Sequence, residues 1–474
     1  MIEHHTVFDR YRETIPKTMR EHRIPGLSIA VVDREGTLWI AGFGVTSRAG
    51  HEVTPNTMFS IQSMSKSFTA TAVVMAVQSG LLDLDRPITA YLPDFSVNSR
   101  FEERPLERVT LRHLLTHTAG LAHEAPIGNN FDVRYESFEE HVSSIQQTWL
   151  KSPVGMRFGY SNLGIDLAAY VLQTVSGVSF ESYLTRHVLD VLGMRDSSMD
   201  YQCVRERHDR ALGHTQFFRR LPVEIPMVGA GGVYTTAADL ARFVRFHLNR
   251  GRLDGKQVVR QELIDAMWTS PQISPGYGLG LAICRAHGSY AVSHTGGGFG
   301  FLTAMKWYPE YGVGCLVLTN STNHKDQNER ILDGILDALI SEGICARLAP
   351  GAVPCADDLI GKDRCIKGCP PTEAHTPTPY RKEWKGFERT YRIRLGGHRL
   401  RLVNRLALAL GGCHAVQWLR VRESDGFLCV NGERLYEHER GLFFTPSGEC
   451  LDFRSDVPRW RNIALDTPLV AWRL

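Results

Sequence analysis

The sequence predicts a mixed α and β chain in two parts: a large domain whose single sheet is built from distant segments around a helical middle, then a small all-β domain. Three patterns carry this. Strand-like runs lie near both ends of residues 1–342, the stretch between has apolar residues spaced by three and four, and residues 380–474 alternate in short runs broken by glycine, asparagine and proline. A chain of 474 residues, 43% hydrophobic and 22% charged, has ample material for a large core and more than one domain.

The elements follow in order. "GLSIAVVDREGTLWIAGF" reads as two β runs joined at Asp33-Arg34-Glu35-Gly36, a hairpin signal. "FTATAVVMAVQSG" is apolar nearly all round and stops at Gly80, the pattern of a helix buried inside a domain, with Ser63 at its N-terminal end. "LRHLLTHTAG", "NLGIDLAAYVLQTVSG" and "TTAADLARFVRFHLNRG" are helical in spacing, with polar starts and glycine stops. Strand signals return in "SYAVSH", "GFLTAMKWY" and "VGCLVLTN". A last helix brings Ile331, Leu332, Ile335, Leu336 and Leu339 onto one face, suited to packing on a sheet. Residues 343–379 hold Pro350, Pro354, Pro370, Pro371, Pro377 and Pro379 without apolar periodicity and read as a linker.

Composition excludes several classes. A net charge of +3 and no aromatic-basic repeat argue against nucleic-acid binding. The N-terminal "MIEHHTVFDRYRETIPK" lacks a continuous apolar core, and no run of 18 or more apolar residues occurs, so neither a secretory signal nor a membrane span is expected and the protein is read as cytoplasmic. Ten cysteines at irregular spacing read as free thiols rather than a disulfide framework. Cys365, Cys369 and His375 imitate a metal cluster, but a Cys-x3-Cys pair without a matching second pair is a weak zinc signal. No metal and no cofactor are expected.

Three short motifs carry chemistry. Ser63 and Lys66 in "FSIQSMSKSF" are three apart at a helix start, so the hydroxyl and the amine share a face. In a dry, cationic site the lysine pKa falls and its neutral amine helps take the serine proton. In "FGYSNLG", Tyr160 and Asn162 lie two apart before a helix. A phenol beside an ammonium can act as general base and then acid, and Asn162 offers a donor and an acceptor to a substrate amide. The alternative is an ordinary helix cap under a packed tyrosine. In "VSHTGGGFGF", His294, Thr295 and Gly296 end one strand before a glycine run, and Gly297 N–H would be the second oxyanion donor beside Ser63 N–H. The alternative there is a plain glycine hairpin.

Taken in this order, SxxK, YxN and HTG resemble the active-site triplet of the serine penicillin-recognising superfamily, in its class C β-lactamase and D-Ala-D-Ala carboxypeptidase branch. The resemblance extends through "LLDLDRPITAYLP", "VTLRHLLTHTAGL", "GAGGVYTTAADLARF" and "GYGLGL", over roughly residues 10–342. It implies an α/β (α+β) class C β-lactamase-like domain, with an antiparallel sheet of five or more strands, terminal helices on one side and an all-helical region on the other. By motif, Ser63 is the acylated nucleophile, Lys66 its activating partner, Tyr160 the general base or acid and Asn162 a substrate-amide ligand. His294, Thr295 and Gly296 would line the edge strand. His113 and His117, spaced as zinc ligands are on a helix, are read as structural because no nearby carboxylate completes the set.

The chain departs from many β-lactamases in having His294 where they carry lysine. With an ordinary pKa of about 6.5, about a quarter of such histidine would be charged at pH 7, so carboxylate recognition is expected to weaken as pH rises. This form resembles certain D-Ala-D-Ala carboxypeptidases, D-amino-acid peptidases and peptide-cyclising acyltransferases. A penicillin-binding-like domain followed by a lipocalin-like barrel, here assigned to residues 380–474, is similar to intracellular D-amino-acid peptidases and enzymes that release and cyclise nonribosomal peptides. The expected activity is that of a serine hydrolase or acyltransferase on peptides containing D-residues, through a Ser63 acyl-enzyme. The alternatives are an esterase or peptide-releasing cyclase of the same family, and a non-catalytic scaffold. The partners expected are a small peptide, amide or ester, and further copies of the chain in a homo-oligomer.

Overall fold

The structure, a computed structural model, describes residues 3–47, 50–129, 137–215, 223–274, 276–324, 326–345, 347–348 and, in the C-terminal region, 379–387, 389–393, 418–430, 433–440, 442–444, 450–454, 459–461 and 467–471. It divides into two compact units. One comprises Met1–Arg86, Leu114–Thr116 and Ile165–Lys362; the other comprises Pro87–His113, His117–Gly164 and Asp363–Leu474.

The first unit is built on a six-stranded sheet with strands β1 (Gly26–Asp33), β2 (Thr37–Gly44), β3 (Ala282–Ala286), β4 (Ser289–Gly298), β5 (Phe301–Tyr308) and β6 (Val313–Thr319). Their order across the sheet is β2-β1-β6-β5-β4-β3, and every neighbouring pair is antiparallel. The expected hairpin is present: Asp33 N–H donates to the Gly36 carbonyl over 3.0 Å. β1 pairs with β6 along its length from Leu27↔Thr319 to Asp33↔Val313, so the two ends of the domain meet in the middle of the sheet.

One sheet face is covered by helices α1 (Glu3–His22) and α6 (Gln327–Ser341). Val7, Phe8, Ile15 and Met19 of α1 join Ile331, Leu332, Ile335, Leu336 and Leu339 of α6 in one core with Leu27, Ile29, Val31, Cys315 and Val317. These α6 residues are the stripe that the spacing selects, because positions three and four apart share a helix face. Burying each such large side chain stabilises the fold by about 1.5–3 kcal/mol.

In sequence between α1 and α6 come α2 (Ser65–Gln78), α3 (Asn162–Ser176), α4 (Ala237–Leu248) and α5 (Gln261–Trp268). α2 is buried almost throughout, from Ser65 to Val74. Two of its hydroxyls are satisfied by local carbonyls, Ser67 Oγ donating to that of Met64 at 2.7 Å and Thr71 Oγ1 to that of Ser67 at 2.8 Å, which is how an interior helix tolerates them. Phe68 of α2 stacks on Phe243 of α4 with ring centroids 4.0 Å apart. α4 is started by Thr236, whose side chain accepts from Asp239 N–H.

The described C-terminal residues of the second unit are β strands, as their alternating runs predict, preceded by a 3₁₀ turn at Lys382–Phe387. Nine described strands form one antiparallel sheet that begins with Arg389–Ile393 and ends with Thr467–Ala471. These first and last strands pair with each other, at Tyr391↔Ala471 to Ile393↔Leu469, and Glu433–Arg434 and Tyr436–Glu439 form the two edges. No pairing between these two edges occurs among the described residues, so the closed barrel of the sequence expectation is not shown. Trp384, Val421, Leu428, Phe443 and Leu451 make this sheet's core. The proposed linker lies almost wholly outside the described residues, with Cys365, Cys369 and His375. Cys203, Cys284, Cys315, Cys345 and Cys429 are free thiols. No single described helix is long and apolar enough to cross a membrane.

Candidate active site

In the first unit the site is built around Ser63. The nucleophile candidate does not open the long helix, as the sequence suggests, but sits in a 3₁₀ turn, Gln62–Met64, that feeds α2 at Ser65. The preceding Gln62 has φ 51°, a left-handed backbone that few side chains adopt, and its amide donates to Ser60 Oγ at 2.7 Å. Sharp re-aiming of the chain at this point leaves Ser63 half-buried while Met64, Ser65 and Lys66 go inside.

Lys66 is fully buried, and its Nζ donates to Ser63 Oγ at 3.0 Å and to the Ala230 carbonyl at 2.9 Å. A one-turn spacing thus becomes a direct contact. The amine is held by the loop that the "GAGGVY" motif forms: Ile61 N–H donates to the Val233 carbonyl at 3.1 Å, Val233 N–H to Ser65 Oγ at 3.1 Å, and Thr69 Oγ1 to the Gly229 carbonyl at 2.6 Å. Gly280 of "GYGLGL" also closes on this helix. It has φ 66°, and a Cβ there would stand 2.7 Å from the Lys66 carbonyl oxygen.

The third motif lies on β4. This strand is interior to the sheet rather than at its edge, but β3 pairs with it only as far as Ala282↔Ser293. From His294 onward its described partner is β5 alone, so His294–Gly298 forms a local edge, which reconciles the expected edge strand with the sheet order. His294 and Gly296 are buried; Thr295 and Gly297 are exposed, the alternation of a pleated strand. Gly296 packs directly against the nucleophile's turn. A Cβ there would lie 2.1 Å from the Ile61 carbonyl oxygen, and Thr303, opposite Gly296 on β5, donates its hydroxyl to that same oxygen at 3.0 Å. The next residue, Gly297, is the expected oxyanion donor.

His294 differs from its sequence expectation. Only 5% exposed, it uses both ring nitrogens: Nδ1 lies 2.7 Å from the Thr295 carbonyl oxygen, and Nε2 lies 3.0 Å from the Tyr277 hydroxyl. A carbonyl oxygen only accepts, so Nδ1 carries the hydrogen and Nε2 of the neutral ring accepts from Tyr277. Burial, with the Lys66 charge adding to it, pushes the His294 pKa down to about 3. The ring is therefore neutral at pH 7, and the partial positive charge expected from an ordinary histidine is absent.

Tyr160 and Asn162 belong to the second unit. Tyr160 is half-buried, with its ring 4.4 Å from that of His117 and 5.7 Å from that of His123, centroid to centroid. His117 also accepts from Ser161 N–H through Nδ1 at 3.2 Å, and its carbonyl accepts from Gly159 N–H at 2.8 Å. Its structural role is thus specific: it shapes the tyrosine's loop. His113 does something else, its Nδ1 meeting the Thr110 hydroxyl at 3.0 Å. Asn162 opens α3 and is 4% exposed; its amide donates to Glu124 Oε1 at 2.8 Å, and its backbone N–H donates to the His123 carbonyl at 3.0 Å. No cluster of three metal-ligating side chains occurs among the described residues.

The structure brings Ser63, Lys66, His294 and Gly296 into one hydrogen-bonded and packed neighbourhood, and it adds residues that motif reading left without a role. Ala230 and Thr303 fix the Lys66 amine and the β4 backbone; Tyr277 engages the second ring nitrogen of His294; Glu124 holds Asn162. Backbone acceptors such as Ala230 leave no side-chain signature, whereas Tyr277 stands inside the quoted "GYGLGL".

Comparison with known proteins gives the family and the fold. The Beta-lactamase family model matches residues 11–339. The unguisins hydrolase ungD' of Aspergillus campestris is 25% identical over 334 residues, covering 66% of this chain but 61% of its own length. Among solved structures, SurE with D-Leu has a TM-score of 0.61 at 21% identity, covering 99% of both chains. A class C beta-lactamase has a TM-score of 0.60 at 24% identity, covering 71% of this chain and 98% of its own. The chain belongs to the Beta-lactamase family and carries its class C β-lactamase-like fold.

Proposed function

We propose that the protein is a serine hydrolase that forms an acyl-enzyme on Ser63 and acts on peptides containing D-residues. The observation that carries the reading is the 3.0 Å contact between Ser63 Oγ and the fully buried Lys66 amine. A hydroxyl is a weak nucleophile until a positioned base takes its proton, and a desolvated lysine amine is one of the few groups that does so. Membership of a family of serine hydrolases supports it, and so do the names of an unguisins hydrolase among the relatives and of SurE with D-Leu among the similar structures.

In this mechanism Ser63 Oγ attacks an amide or ester carbonyl while its proton passes to Lys66 or Tyr160. The carbonyl oxygen becomes an oxyanion held by the Ser63 and Gly297 N–H groups. As the C–N or C–O bond breaks, the same proton goes to the leaving amine or alcohol. Water, or an amine, then attacks the Ser63 ester and releases the acyl group. Tyr160 and Asn162 enter on their motif: the phenol as proton carrier, the amide as ligand for the substrate's peptide group.

The test uses matched donors, peptide p-nitroanilides that differ only in a D- or L-residue at the acyl terminus. The proposal expects turnover of the D-series at least about tenfold above the L-series, because a stereocentre beside the attacked carbonyl is fixed by directional contacts. Equal turnover, or preference for the L-series, would defeat the D-specific part, and no acyl-enzyme from any donor would defeat the whole reading.

A further inference from the structure

Asp166 stands in the first turns of α3, in the otherwise apolar "NLGIDLAAYVL". It is completely buried. A buried carboxylate is costly unless its oxygens accept hydrogen bonds, so a lone acid on the inner face of a core helix asks for a purpose. Its Oδ1 accepts from the backbone N–H of Ala230 at 2.9 Å. The carbonyl of that same residue accepts from Lys66 Nζ at 2.9 Å. One residue thus links the carboxylate, on one side, to the amine that touches Ser63, on the other.

The Val228–Gly231 turn is tied on its C-terminal side by the Val233 bonds to Ile61 and Ser65, and within the turn itself by two side chains. It is a single four-residue helical turn rich in glycine, the residue type with the greatest backbone freedom. The Thr69 hydroxyl holds the Gly229 carbonyl from α2 at 2.6 Å, and Asp166 holds the next residue from α3. Without the second tether the Ala230 backbone is released to reorient between the Gly229 and Val233 anchors, and the carbonyl that aims the Lys66 amine moves with it. A shift of the order of 1 Å in a reacting group is enough to lose about a hundredfold in rate.

We propose that Asp166 is a positioning residue for Lys66, acting through the Ala230 backbone to hold the amine on Ser63 Oγ. The inference rests on the reading of Ser63 as the nucleophile and adds a residue to it. What matters is the hydrogen-bond acceptor at Oδ1; its negative charge is secondary. Asparagine retains such an oxygen, alanine does not, and glutamate places it one methylene too far out.

The experiment follows labelling of the full-length protein by a fluorophosphonate, in which the Ser63 Oγ–P bond forms, fluoride leaves and the serine proton passes to the base. The maximal rate of labelling and the half-saturating probe concentration are measured separately for wild type, Asp166→Asn, Asp166→Ala and Asp166→Glu, with the melting temperature of each. The expected pattern is an Asn variant within about threefold of wild type and an Ala variant at least about tenfold slower in maximal rate, with half-saturation unchanged, as loss of transition-state alignment requires. The Glu variant should fall with Ala, and it carries the test if Ala does not fold. An Ala or Glu variant labelled at the wild-type rate overturns the proposal. An Asn variant as slow as Ala also overturns it, since charge rather than the acceptor would then be at work. Absence of labelling in wild type itself overturns the nucleophile reading, and is seen before any Asp166 variant is compared.

Discussion

The Tyr277 hydroxyl lies 3.0 Å from His294 Nε2, on a ring whose Nδ1 is already committed to the Thr295 carbonyl. Both ring nitrogens are thus engaged within the protein, and burial with the Lys66 charge keeps this histidine neutral where a charged one would serve a substrate carboxylate.

Any preference for or against a carboxylate-bearing donor should therefore not titrate with His294. With its pKa pushed down to about 3, the ring stays neutral throughout the neutral range. For two donors differing only in a free or amidated C-terminus, the ratio of kcat/KM should stay constant within about twofold from pH 5.5 to 8.5, since effects on shared proton-transfer groups cancel in a ratio. A ratio that falls about tenfold through pH 6.5 would instead restore the ordinary, partly charged histidine.

Buried histidines should also set the acid limit of stability. His247 is enclosed by Phe243, Phe246 and Trp307, neither ring nitrogen has a hydrogen-bond partner among the described residues, and burial pushes its pKa down to about 3. A histidine with a depressed folded pKa binds its proton more readily when unfolded. Stability is then complete above the unfolded pKa of about 6.5 and falls as pH drops toward the folded value, by about 1.4 kcal/mol per unit for each such group. His247→Leu should flatten this limb and gain about 2 kcal/mol relative to wild type at pH 5, with a smaller change at pH 8. Urea unfolding at the two pH values checks it; an equal effect at both would separate His247 from the acid limb.

Two adjacent glycines should respond differently to alanine. At Gly296 a Cβ meets the Ile61 carbonyl oxygen at 2.1 Å, so β4 or the nucleophile's turn must move. At Gly297 the nearest obstacle is a Leu302 methyl at 3.0 Å, the end of a flexible side chain. Gly296→Ala is expected to destabilise the protein by about 1–3 kcal/mol, the ordinary range for overpacking, and to slow acylation at least about tenfold. Gly297→Ala retains the backbone N–H and should keep both within about threefold and 1 kcal/mol. Melting curves and acylation rates on the two variants decide it; matching losses would mean that Gly296 is not what seats β4 on the turn.

Lys66→Arg tests whether charge alone suffices. A guanidinium remains protonated, is larger, and cannot accept the serine proton. Acylation should fall at least about a hundredfold, the usual contribution of a general base. An arginine variant that acylates at the wild-type rate would leave Lys66 only an electrostatic role.

Much of this was legible in the residues themselves. The Asp33–Gly36 hairpin, the α6 stripe from Ile331 to Leu339 and the placing of Ser63 and Lys66 on one turn all follow from local spacing, which the backbone's own geometry enforces. What spacing could not reveal depends on distant partners. The neutrality of His294 comes from burial and the Lys66 charge, the local edge of β4 from where β3 happens to stop, and the purpose of Asp166 from a backbone N–H 64 residues away. The 3₁₀ turn at Ser63 is hidden from local spacing for a related reason: the left-handed Gln62 is held by its contact with Ser60 and the packing of Ile61 against β4 and β5, not by its own preference.

The most direct test of the account is intact-protein mass after incubation with peptide esters and thioesters carrying a D-residue at the acyl terminus, followed by peptide mapping of any adduct. A mass increase of one acyl group is expected, mapped to Ser63 and absent from Ser63→Ala. An adduct on another residue, or one that persists in Ser63→Ala, would contradict it.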